Sequence, residues 1–366
     1  MNTYFVLGLM SGTSMDGLDC CLSEIYLDKT YSFKYKIIDF QTYPYTEKTK
    51  KIIKSAILGD KNSIKIADKH LGKLFLKKSK DFIGNRKINL IGTHGQTIFH
   101  ENKVKSLQIG DPYLLKKYFQ VPVIFNFRGK DISNGGNGAP LVPFLDWLLF
   151  KDELKNTILI NIGGISNVSY IKKNSFKNDV IGFDMGPGMC LIDSFSSYSW
   201  DKDYDCNAEF SKRGKINKEL LTQLMRHPFI HEKFPKSASI EQFNINFLLK
   251  ILKNKKILNY DIIRTLVSFS SEAIAYNINK YIKFDTETNL LISGGGMHHT
   301  LLLQDIKSKI KLNEINLLER KNIHPDCKEA FLICTLAVAN KTNVPANMKT
   351  VTGSRNDIIL GEIYES

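Results

Sequence analysis

Glycine recurs along this 366-residue chain in four short turns, each at the end of an apolar run. They are Ser11-Gly12-Thr13-Ser14-Met15-Asp16-Gly17, Gly163-Gly164-Ile165-Ser166-Asn167, Asp184-Met185-Gly186-Pro187-Gly188 and Gly294-Gly295-Gly296. Glycine lets the backbone approach a phosphate and aim successive N–H groups at it, and a helix that starts beyond the turn adds a favourable dipole. One such turn is ordinarily a tight connection; several with Ser, Thr, Asp or Asn inside or beside them suit a nucleotide site, with Gly163, Gly164 and Gly294 to Gly296 among its contacts. The first turn lacks the lysine of a G-x-x-x-x-G-K-[ST] loop, and no G-x-G-x-x-G opens a dinucleotide-binding unit at the N-terminus. A different nucleotide fold is required.

Phosphoryl transfer brings an anionic nucleotide to a hydroxyl, neutralises phosphate charge, usually with Mg2+, and uses a base or orienting group. Asp16, Asp19 and Asp184 are the carboxylates at these turns. Asp184 follows the apolar run Val180 to Phe183 and is flanked by Gly186-Pro187-Gly188, which suits a carboxylate projected into a cleft; capping the next helix is its competing role. Thr93, His94 and Gln96 sit where another strand ends, and sugar contacts fit there, although a strand-end histidine is as often a structural hydrogen-bonding group. Arg128 would pair with a substrate carboxylate and Asp131 with sugar hydroxyls, or the two would pair with each other. His298, His299 and His324 form no ligand set with any cysteine or carboxylate at helix spacing, so no protein-held metal site is expected.

The formal net charge is +14, which alone raises nucleic-acid or membrane-surface binding. The lysines are scattered through surface-type segments, however, and a strand starting near residue 4 leaves no room for an N-terminal helix-turn-helix, so no nucleic-acid partner is expected. Six cysteines occur without a C-x-x-C pair, which points to reduced, buried thiols. The N-terminus lacks a basic n-region, and no apolar run approaches the roughly 18 residues of a bilayer span. The expected compartment is the cytoplasm, with no membrane association.

Apolar patterning places strands at Tyr4 to Met10, Leu18 to Leu27 and 34–43, helices at 46–58 and 62–83, and strands at Asn89 to Gly92, Ser106 to Ile109 and Val121 to Phe127. Helices follow at Pro112 to Phe119 and Leu141 to Phe150, then strands at Thr157 to Ile162, Ser166 to Ile171, Val180 to Phe183 and Leu290 to Ser293. Helical patterns run from about Met189, through 239–282, and over 326–340. The second half repeats the strand, glycine turn and strand of the first, a hint of duplicated architecture. Two domains fit a chain of this length, taking about 150 residues per domain. The Gly/Asn-rich stretch Ser133 to Gly138 is the expected boundary, giving lobes 1–138 and 139–366.

The chain carries MSGTSMDGLD at 10–19, GTHGQT at 92–97, QIGDP at 108–112, NGGNGAPLVP at 134–143, NIGGISNV at 161–168, FDMGPG at 183–188, SGGGMHH at 293–299, KEA at 328–330 and VTGSR at 351–355. Taken together, these motifs resemble the anhydro-N-acetylmuramic acid kinase family. The resemblance implies an α/β, two-domain actin-like ATPase (ribonuclease H-like) fold in which ATP and sugar meet in an interdomain cleft. It places Gly12, Thr13, Ser14, Met15, Asp16, Gly17, Leu18 and Asp19 in the ATP-binding segment, glycines 294 to 296 near the nucleotide, and Asp184 as the catalytic aspartate.

The implied reaction opens the 1,6-anhydro ring with water activated by that aspartate and phosphorylates O6, giving N-acetylmuramic acid 6-phosphate in cell-wall recycling. ATP and Mg2+ are the implied cofactors, and a homodimer the implied assembly. Four residues depart from the family pattern: Met185 where Thr is usual, Met189 where Asn is usual, Asn126 in place of the Asp of a DFR run, and His299 in place of Asn after the glycine triplet. A non-catalytic sugar or nucleotide sensor on the same scaffold is the alternative those departures motivate.

Overall fold

The computed structural model describes residues 2–12, 15–151, 154–253, 255–285, 287–310, 312 and 321–365. Its strands are β1 (Tyr4–Ser11), β2 (Gly17–Leu27), β3 (Phe33–Pro44), β4 (Leu90–Glu101), β5 (Lys105–Ile109), β6 (Val123–Phe125), β7 (Thr157–Ile162), β8 (Ile165–Ile171), β9 (Ile181–Pro187), β10 (Asn289–Ser293) and β11 (Glu362–Tyr364). They form two sheets belonging to two compact units: Met1–Leu149 with Leu318–Ser366, and Phe150–Leu317.

In the first unit the strand order is β11-β6-β4-β1-β2-β3, with β5 paired to β4. β1, β2 and β3 form an antiparallel meander, β4 runs parallel to β1, and β6 parallel to β4. The second unit repeats the plan: β7, β8 and β9 are antiparallel, and β10 returns parallel to β7, in the order β10-β7-β8-β9. A meander followed by strands added in parallel beside its first member is the ribonuclease H-like topology, present here twice. The expected α/β duplication therefore exists at the level of strand order, although the two meanders share few residue identities.

The residues explain their elements. β7 reads Thr-Ile-Leu-Ile-Asn-Ile and is buried throughout, as a central strand covered on both faces must be. The helices Glu47–Leu58 and Lys61–Ile83 start at Thr46 and Asp60, whose side chains accept hydrogen bonds from the amides of Thr49 and Ser63. The pattern expected over 239–282 is two helices, Ile245–Leu252 and Asn259–Tyr281. β9 extends beyond the expected Phe183 to Pro187, so Asp184 lies inside the strand and not after it.

The observed division differs from a cut at 138/139 in where the C-terminal segment belongs. Helix Lys328–Lys341 packs on β1, β2 and β4, and the chain ends as β11 on the edge of the first sheet. Two glycines allow the helix to come so close. A Cβ on Gly8 would lie 2.4 Å from the Ala330 carbonyl oxygen, and one on Gly92 would lie 2.7 Å from that of Ile333. Beside this contact the Lys328 ammonium meets the Asp146 carboxylate at 2.7 Å, both side chains buried, which ties the returning helix to helix Val142–Phe150. A boundary read from local composition cannot register such long-range docking.

Gly8→Val should therefore destabilise the protein by about 1–3 kcal/mol through overpacking against a backbone atom that cannot move aside. Gly295→Ala, whose added Cβ meets nothing within 4 Å, should leave stability close to wild type. Denaturant unfolding of the two variants checks the difference.

Candidate active site

The first glycine turn leaves β1 at Ser11 and enters β2 at Gly17. It is held by a chain of side-chain hydrogen bonds. The Ser11 hydroxyl donates to Gln96 Oε1 at 2.6 Å, so the Tyr45 hydroxyl, 2.7 Å away, donates to Ser11. Gln96 Nε2 donates in turn to the Gly12 carbonyl at 3.0 Å, and the Tyr45 amide reaches the Asp16 carbonyl at 2.9 Å. The structure thus brings Gln96 to Gly12 and commits its amide group to the turn. Met15 has a φ of 57° and donates its amide to the Gly12 carbonyl, while Thr13 and Ser14 lie outside the described residues. Leu18 belongs to the core, and Gly17 is required where β2 passes β3, since a Cβ there would lie 2.4 Å from the Tyr43 carbonyl oxygen.

Asp16 is exposed, whereas Asp19 pairs across the sheet with Met10 and accepts the Thr42 hydroxyl at 2.5 Å. Burial pushes the Asp19 carboxyl up to about 6; the Thr42 bond opposes the rise, and the carboxylates of Glu329, Asp326 and Asp16 add to it. Glu329, within the quoted KEA motif but given no role there, joins the site through this proximity. It comes from the returning helix, which only the folded chain brings to β2.

The second cluster of the first unit is built on β4 and the segment after β6. His94 is buried; its Nε2 accepts from Arg128 Nε at 3.1 Å, so Nδ1 carries the proton that it donates to the Gly95 carbonyl at 2.9 Å. Burial and then the Arg128 charge hold the imidazole down to about 3, so the ring is neutral. Its role here is to orient the guanidinium, which also donates through Nη1 to the Gly138 carbonyl at 2.8 Å. Asp131 is fully buried, with Oδ2 taking the Gly138 amide and Oδ1 the Thr352 hydroxyl, and burial raises its pKa. It knits the loop 134–138 to the segment 352–355, where the Asn137 amide also meets the Thr352 carbonyl and the Arg355 amide that of Asn134. The Thr93 hydroxyl is buried and has no hydrogen-bond partner among the described residues.

In the second unit the Gly163-Gly164 turn spends its carbonyls on the helix that follows β9. The Met189 amide donates to the Gly163 carbonyl, and those of Gly188 and Cys190 to that of Gly164, at 2.8–3.1 Å, capping helix Cys190–Trp200. The Gly163 amide itself is taken by the Ile165 carbonyl. The glycine triplet lies against the end of β7: a Cβ on Gly294 or Gly296 would strike Ile162, while Gly295 is exposed. Gly295 alone of the three presents open backbone.

Asp184 is 6% exposed. Its Oδ2 accepts the Ser237 hydroxyl at 2.9 Å and the Ala238 amide at 2.8 Å, and its own amide donates to the Lys236 carbonyl. The helix-capping role is not the one its carboxylate plays in these contacts. The Lys236 ammonium is buried behind it, and burial lowers its pKa to about 8 against the opposing pull of Glu232 and Asp184. Lys236 and Ser237 carried no signal in the sequence, being an ordinary Lys-Ser pair in a connecting segment.

The four departures have structural accounts. Met185, next to Asp184 and on the opposite face of β9, is fully buried in the core of the second unit, and Met189 packs against the same core. Asn126, at a φ of 49°, accepts the Gly129 amide as an aspartate would, but also donates Nδ2 to the Glu362 carboxylate at 2.6 Å. An aspartate there would set two carboxylates against each other. His299 accepts the Leu302 amide at Nδ1 and donates Nε2 to buried Asp205 at 3.2 Å, capping helix Thr300–Ile310. Burial would raise the Asp205 pKa, yet His299 and the amides of Phe210 and Ser211 bring it below the usual range.

Two ribonuclease H-like units with glycine turns at their strand ends define the actin-like class of ATPases and sugar kinases. The family model for anhydro-N-acetylmuramic acid kinase matches residues 4–366. The chain is 38% identical over 378 residues to the anhydro-N-acetylmuramic acid kinase of Clostridioides difficile (strain 630), covering 98% of both proteins. It is 33% identical over 381 residues to that of Bacillus thuringiensis (strain Al Hakam), covering 99% of each. Among solved structures, the activator of 2-hydroxyisocaproyl-CoA dehydratase from Clostridium difficile with bound ADPNP gives a TM-score of 0.40 at 12% identity, covering 93% of this chain and 96% of that one. The chain belongs to the anhydro-N-acetylmuramic acid kinase family.

Two pH effects follow from these environments. The His94 ring stays neutral down to about 3 when folded, whereas an unfolded imidazole takes up a proton near 6.5, so the stability it contributes falls as pH drops below 6.5. Thermal unfolding of wild type should thus lose more between pH 7 and pH 5 than that of His94→Gln. Asp19 behaves in the opposite sense: the folded protein keeps its proton up to about 6 and the unfolded chain releases it near 3.8, so stability falls as pH rises between them. Asp19→Asn should melt higher than wild type at pH 7.5 and close to it at pH 4.

Proposed function

We propose that the protein is an ATP-dependent kinase that hydrolytically opens the 1,6-anhydro ring of anhydro-N-acetylmuramic acid and phosphorylates O6, producing N-acetylmuramic acid 6-phosphate. The observation that carries the reading is the Asp184 carboxylate, nearly buried yet supplied with two donors on one oxygen. Such bonding favours the charged form, which a general base requires.

Asp184 takes a proton from water as the water oxygen bonds to C1. The C1–O6 bond breaks, the electron pair stays on O6, and O6 attacks the γ-phosphorus with ADP leaving; the proton passes from Asp184 to solvent. In the first unit, Arg128, fixed by His94, suits the lactyl carboxylate of the sugar, and the Thr93 hydroxyl suits a sugar oxygen. Gln96 and Asp131, whose polar atoms are engaged with Gly12, Gly138 and Thr352, act by holding the surrounding loops. In the first unit nucleotide contacts fall to the turn between Gly12 and Gly17, and in the second to Gly295.

Asp19 fits a divalent cation, because burial and neighbouring carboxylates raise it to about 6 and a cation would relieve that crowding. Mg2+ arriving on the triphosphate would need only one or two carboxylates, Asp19 and Glu329. When bound, Mg2+ supplies neutralisation of phosphate charge. No helix among the described residues is long and apolar enough to cross a membrane. The reading extends to a cytoplasmic homodimer.

Asp184→Asn should retain ATP binding and lose about 10²–10⁴ in kcat, since it removes the base while nearly preserving shape. Phosphorus NMR of the wild-type reaction should show the sugar 6-phosphate; wild-type turnover by the variant would remove Asp184 from the role.

A further inference from the structure

Asp184 lies on an edge. Among the described residues β9 is the last strand of the second sheet, so its outer backbone groups have no neighbouring strand there to pair with. The segment 234–238 takes that place. The Phe234 ring stacks on Phe183 with centroids 5.1 Å apart and planes at 6°, the Asp184 amide donates to the Lys236 carbonyl at 3.2 Å, and Ser237 and Ala238 donate to Asp184 Oδ2. The segment is itself anchored from below. The Lys236 ammonium, 3% exposed, donates to the Phe229 and Ile230 carbonyls at 3.0 and 3.4 Å and lies 4.7 Å from the centre of the Phe229 ring.

We propose that Ser237 is a positioning residue for phosphoryl transfer, its hydroxyl acting with the Ala238 amide to fix the plane and the basicity of the Asp184 carboxylate, with Lys236 anchoring the segment that carries both donors. This rests on Asp184 being the base. Two donors converging on a single oxygen restrict rotation of the carboxylate about its Cβ–Cγ bond, and a hydrogen bond to the charged form lowers its proton affinity. Removing the hydroxyl takes one donor away from a buried charge. The carboxylate then holds its proton more tightly and loses its orientation toward the attacking water.

The test measures steady-state kinetics of the full-length enzyme with ATP, Mg2+ and the anhydro sugar across pH. Ser237→Ala should lower kcat about tenfold, the worth of roughly one hydrogen bond to a charged group, and leave the KM for ATP unchanged. Its acid limb in kcat/KM should move upward by about 0.5–1 pH unit. Ser237→Thr keeps the hydroxyl and should return both kcat and the acid limb to near wild type. Should Ser237→Ala not fold, Ser237→Cys, with its weaker donor, carries the same readout at smaller amplitude. An unmoved acid limb in Ser237→Ala, or a loss of kcat that Ser237→Thr does not restore, overturns the proposal by reducing Ser237 to a structural residue. If Asp184→Asn is inactive while Ser237→Ala matches wild type, the positioning role alone fails; if Asp184→Asn turns over normally, the base assignment fails first and takes the positioning role with it.

Discussion

A carboxylate that is almost fully removed from water stays charged only where donors replace the lost hydration. At Asp184 two such donors are the Ser237 hydroxyl and the Ala238 amide, so the setting of the carboxylate depends on how firmly that segment is docked. Much of the second unit serves the docking. β8 fixes β9 through the pair Asn167 and Asp184, Met185 drives the opposite face of the strand into the core, and Asn277 of the long helix Asn259–Tyr281 donates to the Met185 and Ile230 carbonyls. A polar residue at 185 would face that apolar packing unless it brought its own partner.

The first unit solves a different problem, that of holding polar loops still without a large apolar side chain in them. Its solution is a relay of hydrogen bonds, from Tyr45 through Ser11 and Gln96 to Gly12, and from Gly95 through His94 to Arg128 and Gly138. Asp131 closes the second relay onto Thr352. Several polar residues that look like ligand contacts in the sequence are therefore spent on the loops.

The sequence discloses the periodic elements and the glycine turns because both are local: β1, β2 and β7 are apolar runs, and the triplet 294–296 stands out by composition. The family motifs mark Asp184 and the turn from Gly12 to Asp19. What the sequence conceals is set by contacts between distant segments. The return of 318–366 to the first unit needs Gly8 and Gly92 opposite a helix more than two hundred residues away. Asn126 reads as a lost acid until Glu362 is seen 2.6 Å from its amide, and His299 as a spare histidine until Asp205 is seen beside it. Lys236 and Ser237 carry no pattern of their own, since a positioning role is defined only by the carboxylate they meet.

The central claim is that the buried Asp184 carboxylate delivers water to C1 of the sugar, and the most direct measurement is the fate of the water oxygen. A reaction run in ¹⁸O-enriched water and quenched before the anomeric hydroxyl exchanges should give a sugar 6-phosphate with one heavy oxygen at C1 and none in the phosphoryl group. Heavy oxygen in phosphate released from ATP, or an unlabelled C1, would contradict the account.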